Sequence, residues 1–124
     1  MEQLILHLIG DYVLQTDWMA ENKIRRLPVA TLHAFVYSIP FLLLSPSLLA
    51  ILVIFSTHVI IDRYRLPRFV IFAKNKITEP GLKWADASET GYHKDTPLWL
   101  AFWLMLIVDG LMHMAINYAA LRWL

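Results

Sequence analysis

Apolar and polar positions follow a helical period along most of the chain. In the first stretch Leu4, Ile5, Leu8, Ile9, Tyr12 and Val13 alternate with a polar face of His7, Asp11 and Gln15, which predicts an amphipathic helix over about residues 2–20. Asp17, Trp18, Glu21 and Asn22 mark an interface, Lys23, Arg25 and Arg26 a short basic loop, and Pro28 suits the first turn of the next helix. The second and third apolar stretches, about 29–44 and 48–62, are joined by the tight Ser45-Pro46-Ser47 turn and are expected to be antiparallel neighbours. Pro40 predicts a kink in the second. Arg63, Arg65 and Arg68 then interleave with Tyr64, Leu66, Phe69, Val70, Ile71 and Phe72, the pattern of a short amphipathic helix lying at headgroup level over about 64–76. Residues 77–96 are polar and turn-rich and read as the one long loop. The last segment, about 98–121, has Trp99 and Trp103 near one end and Tyr118 and Trp123 at the other, as aromatic belts require.

Composition sets the solvent. At 124 residues, 58% hydrophobic and 17% charged, with a mean hydropathy of +0.52, the chain is too apolar for an ordinary soluble domain. The expectation is an all-α integral membrane bundle of four main helices plus the short interfacial helix, forming one transmembrane domain over 1–124. The first segment has no basic leader and carries a polar face, so it reads as a retained helix rather than a removable signal. Every basic residue except Arg122 falls in the first or third connection, and the positive-inside rule makes that side cytoplasmic. A multi-pass protein of the inner, cytoplasmic membrane follows, with membrane lipids as partners and a homo-oligomer needed only to enclose a path. No nucleic-acid module is visible.

The polar faces carry the candidate chemistry. His7, Asp11 and Gln15 share one helix face, as do His58 and Asp62, and as do Asp109, His113 and Asn117; His33 stands in the second segment. Counted from the cytoplasmic ends these groups overlap in one half of the bilayer. An ionised aspartate at membrane depth costs about 2.5–3.5 kcal/mol even on lenient insertion scales. The basic residues lie in the connections, so the expected partners of the aspartates are histidines and a divalent cation. The candidate donors are His7, Asp11, His33, His58, Asp62, Asp109 and His113, with Gln15 and Asn117 orienting them and Asp11 and Asp109 as catalytic or bridging carboxylates. Without cysteine the ligands are nitrogen and oxygen, which suits one or two ions of zinc, manganese or iron better than magnesium. Asp62, at a helix end beside Arg63, could instead be a surface ion pair. Arg63, Arg65 and Arg68 read as headgroup contacts, Trp84 as an interfacial anchor, and His93, Asp86 and Glu89 as solvated loop residues.

The opening block His7-Leu-Ile-Gly-Asp11-Tyr-Val-Leu-Gln15-Thr-Asp-Trp-Met-Ala20, followed by His33, His58-Val-Ile-Ile-Asp62 and Asp109-Gly-Leu-Met-His113, resembles a family of small bacterial and phage membrane proteins, domain of unknown function 3307. The resemblance runs over nearly the whole chain and implies a fold and a polar pattern, but no activity. More distantly, the paired histidine and aspartate in a short multi-helix chain is similar to inner-membrane proteins regarded as metal-dependent hydrolases. The expected function is a membrane-embedded metal-dependent hydrolase acting on a lipid headgroup or small phosphoester near the cytoplasmic face. The alternatives are a small proton or metal-ion transporter or channel subunit, and a phage-type membrane effector with a structural metal.

Overall fold

The computed structural model describes all of residues 1–124 and is all-α, with six α-helices and no strand. Two compact units divide the chain, one of Met1–Tyr64 with His113–Leu124 and one of Arg65–Met112.

In the first unit, α1 (Glu2–Leu8) runs into a π-helical turn, Ile9–Val13, closed by the Leu14 N–H donating to the Ile9 carbonyl at 2.9 Å. The helical path then breaks. Thr16 is extended, with ψ 158, and its hydroxyl accepts from the Met19 N–H at 3.3 Å, starting α2 (Asp17–Asn22). The single helix expected over 2–20 is therefore corrected to a helix, a π turn and a second short helix. The sequence contains the reason, because Thr16 followed by Asp17 is a helix start placed inside a helical pattern.

Helix α3 (Leu27–Ser38) has Pro28 in its first turn. At Pro40, which has no N–H for the α ladder, the expected kink takes the form of a change to a 3-10 helix, Ile39–Leu44. Ser45 ends it in the left-handed region, with φ 49. The Ser47 hydroxyl then accepts from Ala50 N–H at 3.0 Å and starts α4 (Leu48–Tyr64). α3 and α4 pack on each other, as their short connection requires. Leu6, Tyr37, Phe41, Ala50, Ile54 and Ala120 form the buried apolar cluster of this unit.

In the second unit, Arg65 has φ 51 and α5 (Pro67–Thr78) follows it. The 77–96 segment is held on α5 by specific bonds. Trp84 stacks on Phe69, ring centres 4.9 Å apart, and meets Phe72 edge-on. The Arg68 guanidinium donates to the Ser88 carbonyl at 3.0 Å, Arg65 to Glu89 at 2.7 Å, and the Asn75 amide to Gly91 at 3.0 Å. The Lys94 ammonium donates to Asp86 at 2.7 Å and holds that carboxyl below its ordinary value. Helix α6 (Leu98–Trp123) contributes residues 98–112 to this unit and the rest to the first.

Two stretches are long and apolar enough to cross a membrane: α3 with its 3-10 continuation, Leu27–Leu44, and α6. Helix α1 has 7 residues, well short of the roughly 20 that a span requires, and α4 has 17, at the lower end of the spanning range.

Candidate metal centre

Three elements of the first unit bring the four residues of the centre together. The π turn supplies Asp11, α3 supplies His33, and α4 supplies His58 and Asp62 one turn apart. All four residues are buried, and one ligand atom from each lies within 4.8 Å of the other three. Five separations define the shape. His33 Nε2 is 3.0 Å from His58 Nε2, 3.2 Å from Asp11 Oδ1 and 3.3 Å from Asp62 Oδ2. His58 Nε2 is 3.4 Å from Asp11 Oδ1 and 3.1 Å from Asp62 Oδ2. A divalent ion with bonds of about 2.0–2.1 Å spaces its donors about 3.3–3.4 Å apart in a tetrahedron and about 3.0 Å apart in an octahedron. The observed separations span both values.

Asp11 Oδ1 adds a second sign of convergence. It is buried and accepts no hydrogen bond, although two imidazole nitrogens lie within 3.4 Å of it.

Each carboxylate gives one oxygen to this quartet and turns the other toward an outer histidine. Asp11 Oδ2 is 3.3 Å from His7 Nδ1, and Asp62 Oδ1 is 3.3 Å from His113 Nε2. His7 and His113, also expected as ligands, each face the second oxygen of an aspartate. Tyr37 ties the outer groups together: Asn117 Nδ2 donates to its hydroxyl at 2.6 Å, His7 Nδ1 is 2.9 Å from the same oxygen, and the ring stacks on His58 with centres 3.8 Å apart. Asn117 therefore acts on the centre through Tyr37. Gln15 is half-buried at the end of the first helical stretch, with its carbonyl oxygen unbonded. Asp109 is half-buried one turn before His113 on α6, in the portion that belongs to the second unit.

Two expectations are corrected by geometry. Asp62 makes no surface pair with Arg63; it is buried, and Lys23 Nζ donates to its Oδ2 at 2.7 Å. A lysine from the first connection thus reaches Asp62, where the sequence pattern points to histidines and a metal ion as partners. The signal available was position, since Lys23 is the first basic residue after the polar face of the opening segment and its stem is long enough to return to it. Tyr37 was equally missed as a hub, because a tyrosine in an apolar helix reads as packing. Arg63, Arg65 and Arg68, read as headgroup contacts, donate to the backbone carbonyls of Ile24, Glu89 and Ser88 respectively.

These features define a helical protein with two apolar stretches of spanning length and a buried His/Asp cluster able to take a metal ion. The chain belongs to the family described as Protein of unknown function (DUF3307), whose model matches residues 1–121. No curated protein and no solved structure matches it.

Proposed function

We propose that this is a multi-pass inner-membrane protein that holds a divalent cation on Asp11, His33, His58 and Asp62 and uses it to hydrolyse a lipid headgroup or small phosphoester at the cytoplasmic face. The spacing of the donor atoms carries the reading, because the His33 and His58 nitrogens lie 3.0–3.4 Å from each other and from one oxygen of each aspartate, as donors around a first-row ion do. Bound there, the ion would lower the pKa of a coordinated water and polarise a phosphoryl oxygen. Hydrolysis needs a coordination position for that water. Five- or six-coordinate manganese or iron leaves one beside four protein donors, whereas tetrahedral zinc leaves none unless Asp11 releases. The membrane placement is supported by α6, whose Trp99, Trp103, Ile107, Leu111 and Trp123 are more than half exposed. Four helices at membrane depth would complete the bundle.

A second reading has its own observation. The Lys23 ammonium on Asp62 supplies positive charge without a metal, which favours a polar relay or a purely structural network. Elemental analysis of detergent-purified protein beside His58→Ala and Asp62→Asn separates the two. Near-stoichiometric metal lost in both variants supports the metal centre and warrants assaying phospholipid vesicles and phosphoesters. Folded, metal-free wild type, prepared without chelators, leaves the relay.

A further inference from the structure

Lys23 follows α2 and reaches the candidate centre, where its Nζ is 2.7 Å from Asp62 Oδ2 and 3.4 Å from His33 Nε2. Those are two of the four atoms whose spacing fits a metal ion. The ammonium thus lies beside both a carboxylate oxygen and an imidazole nitrogen of the centre. It also supplies one of the positive charges that the two buried aspartates require. A divalent ion ligated by the same atoms would lie within a few ångströms of the ammonium, where like charges repel strongly in a partly buried site. The two cations would therefore compete for Asp62 Oδ2.

Lys23 is also the member of this group that can leave. Its side chain is 18% exposed, against 0% for His33, 1% for His58 and 4% for Asp62. The lysine stem can swing the ammonium to solvent by rotation about its own bonds, with no movement of α3 or α4.

We propose that Lys23 is a tethered counter-cation that guards the centre: it keeps Asp62 compensated until a divalent metal displaces it. This rests on the metal reading above. The device sets a threshold, because an incoming ion must bind tightly enough to break the Lys23–Asp62 bond. Ions of first-row transition type pass, and hard, strongly hydrated magnesium does not.

The test is calorimetric titration of the full chain in detergent with Mn²⁺, Zn²⁺ and Mg²⁺ alone, comparing wild type with Lys23→Gln, Lys23→Met and Lys23→Arg, each checked for native helicity. Removing the charge is expected to tighten Mn²⁺ and Zn²⁺ binding roughly ten- to a hundredfold in Lys23→Gln and Lys23→Met, the fold-change of one charge-assisted hydrogen bond. Mg²⁺ binding should become measurable in the same two variants, and Lys23→Arg should stay at or below wild type. Equal or weaker binding in the two neutral variants, beside a wild type that does bind, overturns the guard and leaves the metal centre intact. Absence of binding in wild type and in the folded neutral variants removes the metal centre itself, and the guard with it.

Discussion

Gly10 and Tyr37 touch in a way that no other residue at position 10 permits. A β-carbon on Gly10 would stand 2.5 Å from Tyr37 Cδ2 and 3.1 Å from Cε2. The ring that packs against this bare backbone is the one that stacks on His58 and holds His7 and Asn117. The glycine in the π turn therefore sets the position of the tyrosine, and the tyrosine that of the imidazole. Gly10→Ala should force the ring to move, costing about 1–3 kcal/mol as overpacking does. Metal affinity should fall as well, by thermal denaturation and by titration. A variant with wild-type stability and affinity would show that this contact constrains nothing.

Removing only the Tyr37 hydroxyl tests the outer ring separately from packing. Tyr37→Phe keeps the stack on His58 but strands the Asn117 amide and one partner of His7, both buried. Unmet buried polar groups cost about 1–3 kcal/mol. The variant should lose that much stability while still folding and binding metal, with affinity lowered rather than abolished.

Inner and outer groups should separate by degree. His33→Ala, His58→Ala and Asp62→Asn each remove a donor of the quartet and should reduce metal to background by elemental analysis. His7→Ala and His113→Ala remove only groups behind the aspartates, and losses of this type are typically about 10- to 100-fold in affinity. Equal loss in all five would place His7 or His113 in the ligand set after all.

A bound metal should stabilise the fold by mass action. At a free concentration of about 100 times the dissociation constant the gain is about 2.7 kcal/mol. Adding Mn²⁺ or Zn²⁺ to chelator-treated wild type should therefore raise the melting temperature, and Asp62→Asn should be indifferent. No shift for wild type would count against a specific site.

The chain has no cysteine, which makes single substitutions clean reporters of sidedness. Lys83→Cys, in the third connection, is expected to react from the cytoplasmic side of sealed vesicles, and Ser45→Cys, in the second, from the opposite side. Labelling of both from one side would remove the proposed topology.

The helical class and the chemistry-bearing residues were legible in the one-dimensional pattern. A histidine and an aspartate four positions apart must share a helix face, whatever surrounds them, so His7 with Asp11 and His58 with Asp62 followed from local geometry. Membership of the DUF3307 family was legible in the same residues. The break at Thr16 was present in the sequence too, but a 3.6-residue apolar period concealed it, because periodicity records which face is buried and not whether the ladder is continuous.

The tertiary structure alone decided which polar groups meet. Which carboxylate oxygen faces a given histidine is a matter of ångströms between helices far apart in sequence. His33 and His58 face one oxygen of each aspartate, while His7 and His113 face the others. Lys23 reads as a loop charge because its position in the chain fixes its Cα, whereas its flexible stem carries the ammonium to Asp62, 39 residues away. Sequence spacing constrains neighbours on one helix; the meeting of helices, and the reach of a side chain across them, is set by packing.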